Sequence, residues 1–220
     1  MTYRDRYAEY LQQLPQDANH LESSQKRVVL GYTSDLDVVL EWNSEVFSKI
    51  VSTHLHEEPS YRIGDVIDSM ESFARIVSYH MIHGLGGEAD ITNNDICAYL
   101  ENKFHTEYAL GGTCAQGAAA LNAAGFPVLA HITDRSSEVC RLMSGSGLDT
   151  VTAQGVVPMM QSATNDLPVR HMILQYPKGA TISVGGKTYN APQSNRLILD
   201  YDTIHKSMPV DPLFFDFCEA

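Results

Sequence analysis

Two adjacent glycines open the stretch of sequence whose residue types best suit ligand binding. Gly111-Gly112 follows a short β-prone run and precedes a helix-prone segment of small residues, TCAQGAAALNAAG. Because glycine lacks a Cβ, a ligand could touch the backbone there, and the N-terminus of the next helix would present unpaired N–H groups and a partial positive charge. The pattern predicts a cradle for a sugar or a phosphate, or a tight strand-to-helix packing turn, and both interpretations stay open.

A carboxylate near the first predicted strand is a second candidate. Residues 27–33, RVVLGYT, predict a buried strand, and the composition of 34–37, SDLD, is typical of a loop. In open α/β sheets, ligands bind at the carboxyl ends of strands, where a carboxylate can accept hydrogen bonds from two sugar hydroxyls. We predict Asp37 as the ligand-binding residue and Asp35 as a turn residue, with an Asx turn or a helix cap as the alternative for an isolated aspartate.

Two polar residues in later predicted strands suit the same chemistry. His171 lies in the predicted strand 169–176, where an imidazole can donate to or accept from a sugar hydroxyl. Arg196 follows Asn195 at the start of the predicted strand 195–201, and its planar guanidinium can make two hydrogen bonds to a phosphate. A structural histidine and a surface salt bridge are the ordinary alternatives.

Other suggestive patterns do not predict a site. Gly185-Gly186-Lys187 resembles the end of a P-loop, but Thr181 stands where that motif needs glycine, and the flanking alternation predicts a hairpin. The segment 145–149 predicts a flexible loop. His80 and His83 are one helical turn apart but lack a third ligand nearby, so no metal site is predicted. No spacing suggests a Ser/His/Asp or Cys/His nucleophile.

The remaining pattern predicts alternating helices and strands. Helices are expected at 2–14, 44–55, 65–83, 94–104, after Gly112, at 136–143 and from 211 to 219. Strands are expected at 27–33, 105–110, 128–133, 169–176, 180–184, 187–190 and 195–201, whereas 144–168 carries mixed signals. This alternation predicts an α/β fold with a largely parallel sheet, and the hairpin adds a small second sheet.

Composition limits the classes of partner. The 220 residues are 44% hydrophobic and 19% charged, which is typical of a globular protein with one large domain, or one domain with a smaller lid. The net charge of -12 argues against nucleic acid and anionic membranes as partners. The polar N-terminus does not resemble a signal peptide, and no apolar run is long enough to span a membrane. Four cysteines without CxxC spacing predict reduced thiols and a cytoplasmic location.

Five segments in one order resemble the ADP-dependent sugar kinases, the glucokinase and phosphofructokinase family of the ribokinase-like superfamily. They are VVLGYTSDLD ending at Asp37, GGE ending at Glu88, Gly111-Gly112 with its alanine-rich helix, VRHMILQYPKG at 169–179 and APQSNRLI at 191–198. The resemblance implies a ribokinase-like three-layer α/β sheet, truncated here, with a small β-rich lid contributed by segments near 84–110 and 165–198.

The resemblance also implies a reaction and its ligands. The family transfers the β-phosphate of ADP to a hydroxyl of glucose or fructose 6-phosphate in glycolysis, with Mg²⁺. Position by position, Asn195 and Arg196 would bind phosphate, and the sugar-binding residues would be Asp37, Glu88, Gly111, Gly112, Thr113, Gln116 and His171. Thr113 replaces the family's usual Gln or Asn, so Gln116 would supply the amide, and this departure leaves the identity of the sugar open.

The family's catalytic and nucleotide-binding half would follow residue 220, so residues 1–220 are expected to be its N-terminal part. No catalytic residue and no metal ligand is therefore predicted in this chain, and most ligands of Mg²⁺ and ADP are expected outside it. Alone, it is expected to bind a sugar or sugar phosphate weakly, to catalyse nothing, and to form homodimers through an exposed sheet edge. The alternatives are an ATP-dependent carbohydrate kinase of the wider superfamily and a non-catalytic sugar-binding or interaction module.

Overall fold

A computed structural model describes residues 2–24, 26–56, 58–145 and 147–218. The chain divides into two compact units, each assembled from distant segments. Unit 1 comprises Met1–Asp35, Leu110–Pro168 and Ile204–Ala220, and unit 2 comprises Leu36–Ala109 and Val169–Thr203. Within the described residues, no helix combines the length and the apolar character that crossing a membrane requires.

Helices and strands alternate along the described chain. The helices are α1 (Tyr3–Ser23), α2 (Ser44–His54), α3 (Met70–His83), α4 (Asn94–Lys103), α5 (Thr113–Ala123), α6 (Ser137–Leu142) and α7 (Pro212–Asp216). The strands are β1 (Val28–Leu30), β2 (Asp35–Leu40), β3 (Gly87–Asp90), β4 (Thr106–Gly111), β5 (Val128–Ala130), β6 (Leu148–Thr152), β7 (Gly155–Pro158), β8 (Arg170–Tyr176), β9 (Thr181–Val184), β10 (Lys187–Asn190) and β11 (Asn195–Tyr201). The predicted α/β class is confirmed.

Unit 1 is built on a four-stranded sheet in the order β1-β5-β6-β7. Strands β1, β5 and β6 run parallel, and β7 returns antiparallel to β6. All three residues of β5 are buried, as is expected for the centre of a parallel sheet covered on both faces. Helix α5 packs against β5, and Leu129, Val151 and Phe214 form a buried cluster that joins α7 to the sheet.

Unit 2 contains a five-stranded mixed sheet in the order β3-β11-β8-β2-β4. Strand β2 runs parallel to β8, β8 antiparallel to β11, and β11 parallel to β3. The two-stranded hairpin β9–β10 turns at Gly185-Gly186, as predicted, and packs against α2 and α3. The sheet's inner face is apolar and fully buried at Val38, Met172 and Leu199.

The predicted loop at 34–37 is wrong, because Asp35–Leu40 forms strand β2 and the preceding strand covers only Val28–Leu30. Asp35 therefore begins a strand, 2% exposed, and is not a turn residue. The local composition SDLD favours a turn, but hydrogen bonding of DLDVVL to β8 overrides that preference, as long-range pairing commonly does in strands.

Other boundaries also differ from prediction: β5 ends at Ala130 and not at residue 133, and α7 ends at Asp216. Helix α3 begins at Met70, since Ser69 caps it by accepting a hydrogen bond from the N–H of Ser72 at 3.2 Å. Helix α1 extends through Pro15 to Ser23, beyond the predicted end at residue 14. The mixed-signal region 144–168 supplies β6 and β7, so the loop predicted at 145–149 is wrong at Leu148 and Asp149. Ser146 in that loop, and Glu219 in the predicted last helix, lie outside the described residues.

Candidate functional site

Polar side chains form a row across four neighbouring strands of unit 2. The parallel register of β2 and β8 sets Asp37 opposite His171, and the antiparallel register of β8 and β11 sets Asp200 opposite the same histidine. Asp90 of β3 lies opposite Asp200 in turn. The two ring nitrogens of His171 thus face different carboxylates: Nδ1 is 3.8 Å from Oδ1 of Asp37, and Nε2 is 3.7 Å from Oδ1 of Asp200. We call Asp37, His171, Asp200 and Asp90 the acidic row.

Strand alternation places the acidic row on the more open face of the sheet. Residues two apart in a strand point to the same side, and the row shares its side with Val39, Ile173, Ile198, Glu88 and Arg196. Val39, Ile173 and Ile198 form an apolar surface between the polar side chains of this face. An apolar floor bordered by carboxylates and an imidazole suits a hydroxyl-rich ligand, because a sugar ring presents C–H surfaces as well as O–H groups.

Burial raises the pKa of the Asp200 carboxyl to about 6. The His171 side chain opposes this shift, whereas the nearby Glu88, Asp90 and Asp202 carboxylates add to it. Oδ1 of Asp200 is buried and has no hydrogen-bond partner among the described residues. Asp200 therefore holds its proton far more readily than an exposed aspartate does.

Three of the predicted sugar-binding residues come together on this face. Asp37 and His171 are members of the acidic row, and Glu88 is an exposed residue of β3, two positions before Asp90. Glu88 also lines a depression of about 200 Å³ that Asp90 and Asp200 share. Three distant segments of the sequence thus converge on one surface. Sequence reasoning missed Asp90 and Asp200. The available signal was an acidic residue at the carboxyl end of a strand for Asp90, and one residue before the end of a predicted strand for Asp200.

The two predicted phosphate-binding residues differ in their surroundings. The amide nitrogen of Asn195 donates to the carbonyl oxygen of Gly84 at 2.9 Å, and its Oδ1 accepts from the N–H of Arg196 at 3.0 Å. Asn195 thereby anchors the left-handed end of α3 at Gly84. Arg196 is exposed and lines a depression of about 550 Å³ together with Gln175 and Pro177.

The Gly111-Gly112 turn lies in unit 1 and joins β4 to α5. Gly112 is the residue before the helix, with φ 85° and ψ 125°, and no side chain caps the helix N-terminus. A Cβ on Gly112 would lie 2.5 Å from the carbonyl oxygen of Thr33, so glycine is required by close backbone packing. Gln116 donates its amide N–H to the carbonyl oxygen of Leu110 at 2.8 Å. Both observations favour the packing-turn interpretation of this motif, and its role as a sugar cradle stays a prediction.

A buried polar network that the sequence did not reveal supports the same turn. The hydroxyl of Ser34 accepts from the N–H of Asp134 at 2.9 Å and donates to the carbonyl oxygen of Asp134 at 3.1 Å. A carboxylate oxygen of Asp134 accepts from the N–H of Ser136 at 2.8 Å, next to the start of α6. Because Ser34 and Asp134 are almost fully buried, these bonds hold the backbone that contacts Gly112 in one position.

Comparisons with known proteins agree on one fold and one family. The conserved region of the ADP-specific phosphofructokinase/glucokinase family matches residues 26–220. No curated protein sequence matches the chain. Among solved structures, a hypothetical ADP-dependent phosphofructokinase from Pyrococcus horikoshii OT3 is similar at 17% identity with a TM-score of 0.69, covering 87% of this chain and 45% of that one.

Two further solved structures share the fold. The last common ancestor of ADP-dependent phosphofructokinases from Methanosarcinales is similar at 19% identity with a TM-score of 0.63, covering 88% of this chain and 42% of that chain. An ADP-dependent kinase in complex with fructose 6-phosphate and ADPβS is 19% identical, with a TM-score of 0.57 over 87% of this chain and 39% of that one. The chain spans less than half the length of each of these structures. The match over residues 26–220 shows that the chain belongs to the ADP-specific phosphofructokinase/glucokinase family.

Proposed function

We propose that this chain binds the acceptor sugar of an ADP-dependent kinase that phosphorylates a hexose or a hexose phosphate. The observation that carries the proposal is the acidic row on the open face of the unit 2 sheet, in a chain of this family. Paired carboxylates and an imidazole are groups that can accept from and donate to vicinal hydroxyls. The three flanking aliphatic residues would contact the apolar faces of the ring.

Each predicted site residue has a proposed role. Asp37 and Glu88 would accept hydrogen bonds from sugar hydroxyls, and His171 would contact a hydroxyl between them. For residues 111–113 and Gln116 of unit 1, the proposed role is that of a helix N-terminus that can offer backbone N–H groups to a ligand. Arg196 would bind a phosphate, and Asn195 would act indirectly by holding the strand start that carries Arg196.

The charge of the face bears on the choice of sugar. The carboxylates of Asp37, Glu88, Asp90 and Asp200 lie on the same side of the sheet as a single described arginine, Arg196. This balance disfavours a phosphate dianion over the sheet centre, because burying like charges near one another is costly. We propose glucose, or another uncharged hexose, as the better ligand, with fructose 6-phosphate as the alternative.

ADP as phosphoryl donor and Mg²⁺ as cofactor are proposed from the family. Among the described residues we assign none to ADP, since the unit 2 face offers no glycine-rich anion hole beside an aspartate. Asp35, Asp37 and His171 place ligand atoms within 4.8 Å of one another, but we do not assign them to Mg²⁺, which prefers oxygen ligands to an imidazole nitrogen. We therefore expect the 220-residue chain alone to transfer no phosphoryl group.

Isothermal titration of the purified chain with glucose and with fructose 6-phosphate tests the sugar site. Asp37→Asn keeps the shape of the side chain but removes a charged acceptor, and should weaken sugar binding about 10- to 100-fold. Asp166→Asn makes the same chemical change at an exposed position of unit 1 and should leave binding unchanged. Folded wild-type protein that gives no heat with either sugar, or Asp37→Asn protein with wild-type affinity, would contradict the proposal.

A cytoplasmic location and a homodimer stay predictions. The outer strands of the unit 2 sheet are β3 and β4, and half of the residues in each are exposed, so either edge could pair with a second copy. Size-exclusion chromatography with light scattering measures the mass directly, and a monomer at high concentration would contradict the dimer.

A further inference from the structure

The side chain of His131, directly after β5, connects the sheet of unit 1 to the C-terminal segment, residues 204–218. Its Nε2 accepts a hydrogen bond from the backbone N–H of Asp211 at 2.9 Å. The side chain of Asp211 in turn accepts from the N–H of Leu213 at 3.0 Å and so caps the start of α7. One imidazole nitrogen therefore holds the residue from which α7 begins.

This hydrogen bond fixes the protonation state of the ring. An imidazole nitrogen that accepts a hydrogen bond carries no proton, so the neutral ring of His131 has its one proton on Nδ1. Nδ1 is buried without a hydrogen-bond partner among the described residues, and the residue as a whole is 2% exposed. A second proton would have to lie on Nε2, where it would face the N–H of Asp211. Protonation of Nε2 and the hydrogen bond from Asp211 therefore exclude each other.

The groups around the ring oppose a charged imidazole. The ring centroid of His131 lies 5.2 Å from that of Tyr32 and 5.3 Å from that of Phe214, both in edge-on geometry. Burial lowers the pKa of His131 below 6.5, the Arg135 guanidinium lowers it further, and the Asp211 carboxylate opposes both effects. Further titratable or charged side chains on the segments packed around the ring are Asp35, Cys114, Asp134, His205, Lys206 and Asp216.

Little apolar surface holds the C-terminal segment on unit 1. Among residues 204–218, all of which the structure describes, only Phe214 is buried, and it packs against Leu129 and Val151. All three residues of β5 are buried, by contrast. Since regions with few buried contacts open at lower free energy than the centre of a sheet, the segment can detach while the sheet stays folded.

We propose that His131 is a proton-sensitive latch: its neutral imidazole holds the C-terminal segment on unit 1, and protonation of Nε2 releases that segment. Release breaks the hydrogen bond from Asp211 and uncovers the apolar side chains of Leu129 and Val151. The residues of the latch all belong to unit 1, so this inference does not depend on the proposed sugar site of unit 2.

The direction and size of the pH effect follow from the two states of the ring. The pKa of a released imidazole is near the ordinary value of 6.5, whereas the pKa of the docked ring is lower. The latch is therefore closed above that pH and weakens as the pH falls below it, because the released state takes up the proton more readily. Between about pH 7.5 and about pH 5.5, the ratio of released to docked segment should rise by up to about tenfold.

Long-range ¹H–¹⁵N NMR of the wild-type 220-residue chain at about pH 7.5 tests the closed latch. We expect the Nδ1–H tautomer of His131, with the ring signals assigned through their correlations to its own backbone. An Nε2–H tautomer or a charged ring would overturn the proposal, because neither can accept from Asp211. No variant is needed for this measurement, so it decides even where a substitution impairs folding.

Hydrogen exchange of residues 211–217, followed by mass spectrometry and corrected for the intrinsic effect of pH, tests the release. Between about pH 7.5 and about pH 5.5, we expect wild-type protection to fall about threefold to tenfold. In His131→Gln, whose amide oxygen can accept from Asp211 at every pH, the fall should be less than half as large. His205→Gln is the matched control: it removes the imidazole that lies 2.6 Å from the Thr133 hydroxyl, and it should keep the wild-type fall.

Urea distinguishes local release from unfolding. At concentrations below the unfolding transition, exchange of residues 211–217 should stay constant, whereas exchange through global unfolding accelerates with urea. The proposal fails if exchange of residues 211–217 keeps pace with that of Val128–Ala130, or if the wild-type fall is below about threefold. It fails equally if His131→Gln keeps half or more of that fall, or if His205→Gln loses it.

Discussion

Replacing Gly112 by alanine tests how the turn before α5 is built. Gly112 has φ 85° and ψ 125°, a conformation that residues with a Cβ rarely adopt, and the strain costs on the order of 1–3 kcal/mol. The new Cβ would also lie 2.5 Å from the carbonyl oxygen of Thr33 and 2.9 Å from the Cα of Ser34. Backbone atoms cannot rotate away as a flexible side chain can, so overpacking adds about 1–3 kcal/mol.

The two contributions together predict a loss of about 3 kcal/mol in the free energy of unfolding. For a chain of this size, that loss lowers the thermal midpoint by roughly 6–12 °C, which far-UV circular dichroism measures. Gly117, in the middle of the same helix, is the matched control: a Cβ there meets nothing within 4 Å. Gly117→Ala should stabilise the protein by up to about 1 kcal/mol through its higher helix propensity.

The test is decisive because Gly112→Ala should lower the free energy of unfolding, whereas Gly117→Ala should raise it. If Gly112→Ala unfolds at or above the wild-type midpoint, the close approach to Thr33 is wrong. If both variants are destabilised alike, α5 does not tolerate alanine in general, and the argument from the turn fails. A variant with a lowered midpoint and unchanged glucose affinity would assign Gly112 to packing, whereas loss of affinity beyond the loss of folded protein would favour the predicted cradle.

Three further predictions concern unit 2. Tyr176→Phe should lower the free energy of unfolding by about 1–2 kcal/mol in urea titrations, since the one O–H of Tyr176 is shared between two backbone carbonyl oxygens, at 2.6 and 3.2 Å. An effect no larger than that of Tyr7→Phe on the exposed face of α1 would contradict this. Asn43→Ala removes the cap that accepts from two N–H groups of α2 and should cost about 1 kcal/mol in the same titrations, while an unchanged midpoint would show that water replaces the cap. The pKa of Asp200 is about 6 in the folded protein against 3.8 for an ordinary aspartate, so wild-type stability should fall as the pH rises between those values. Asp200→Asn should lack this fall and be more stable than wild type by about 1–3 kcal/mol above pH 6, with no difference at low pH; parallel stability profiles would refute the raised pKa.

Local sequence signals predicted those elements whose causes are themselves local. Helix α4, expected at 94–104, begins after Asn93, whose side chain accepts from the N–H of Asp95 at 2.9 Å, as asparagine commonly does at this capping position. The hairpin turn at Gly185-Gly186 and the left-handed end of α3 at Gly84 follow from the conformational freedom of glycine. Each of these features depends on a few consecutive residues, so one sequence is enough to identify it.

The sequence by itself determined the α/β class, most helices and strands, and the identity of three side chains, Asp37, Glu88 and His171, that lie on one face. The tertiary structure alone decided that Asp37 belongs to a strand and not to a loop. It also decided that Asp200 faces the same histidine from the other side. The reason is physical: a strand's neighbours and register are set by hydrogen bonds to segments far along the chain, and a shift of one residue would turn every side chain of the acidic row to the opposite face.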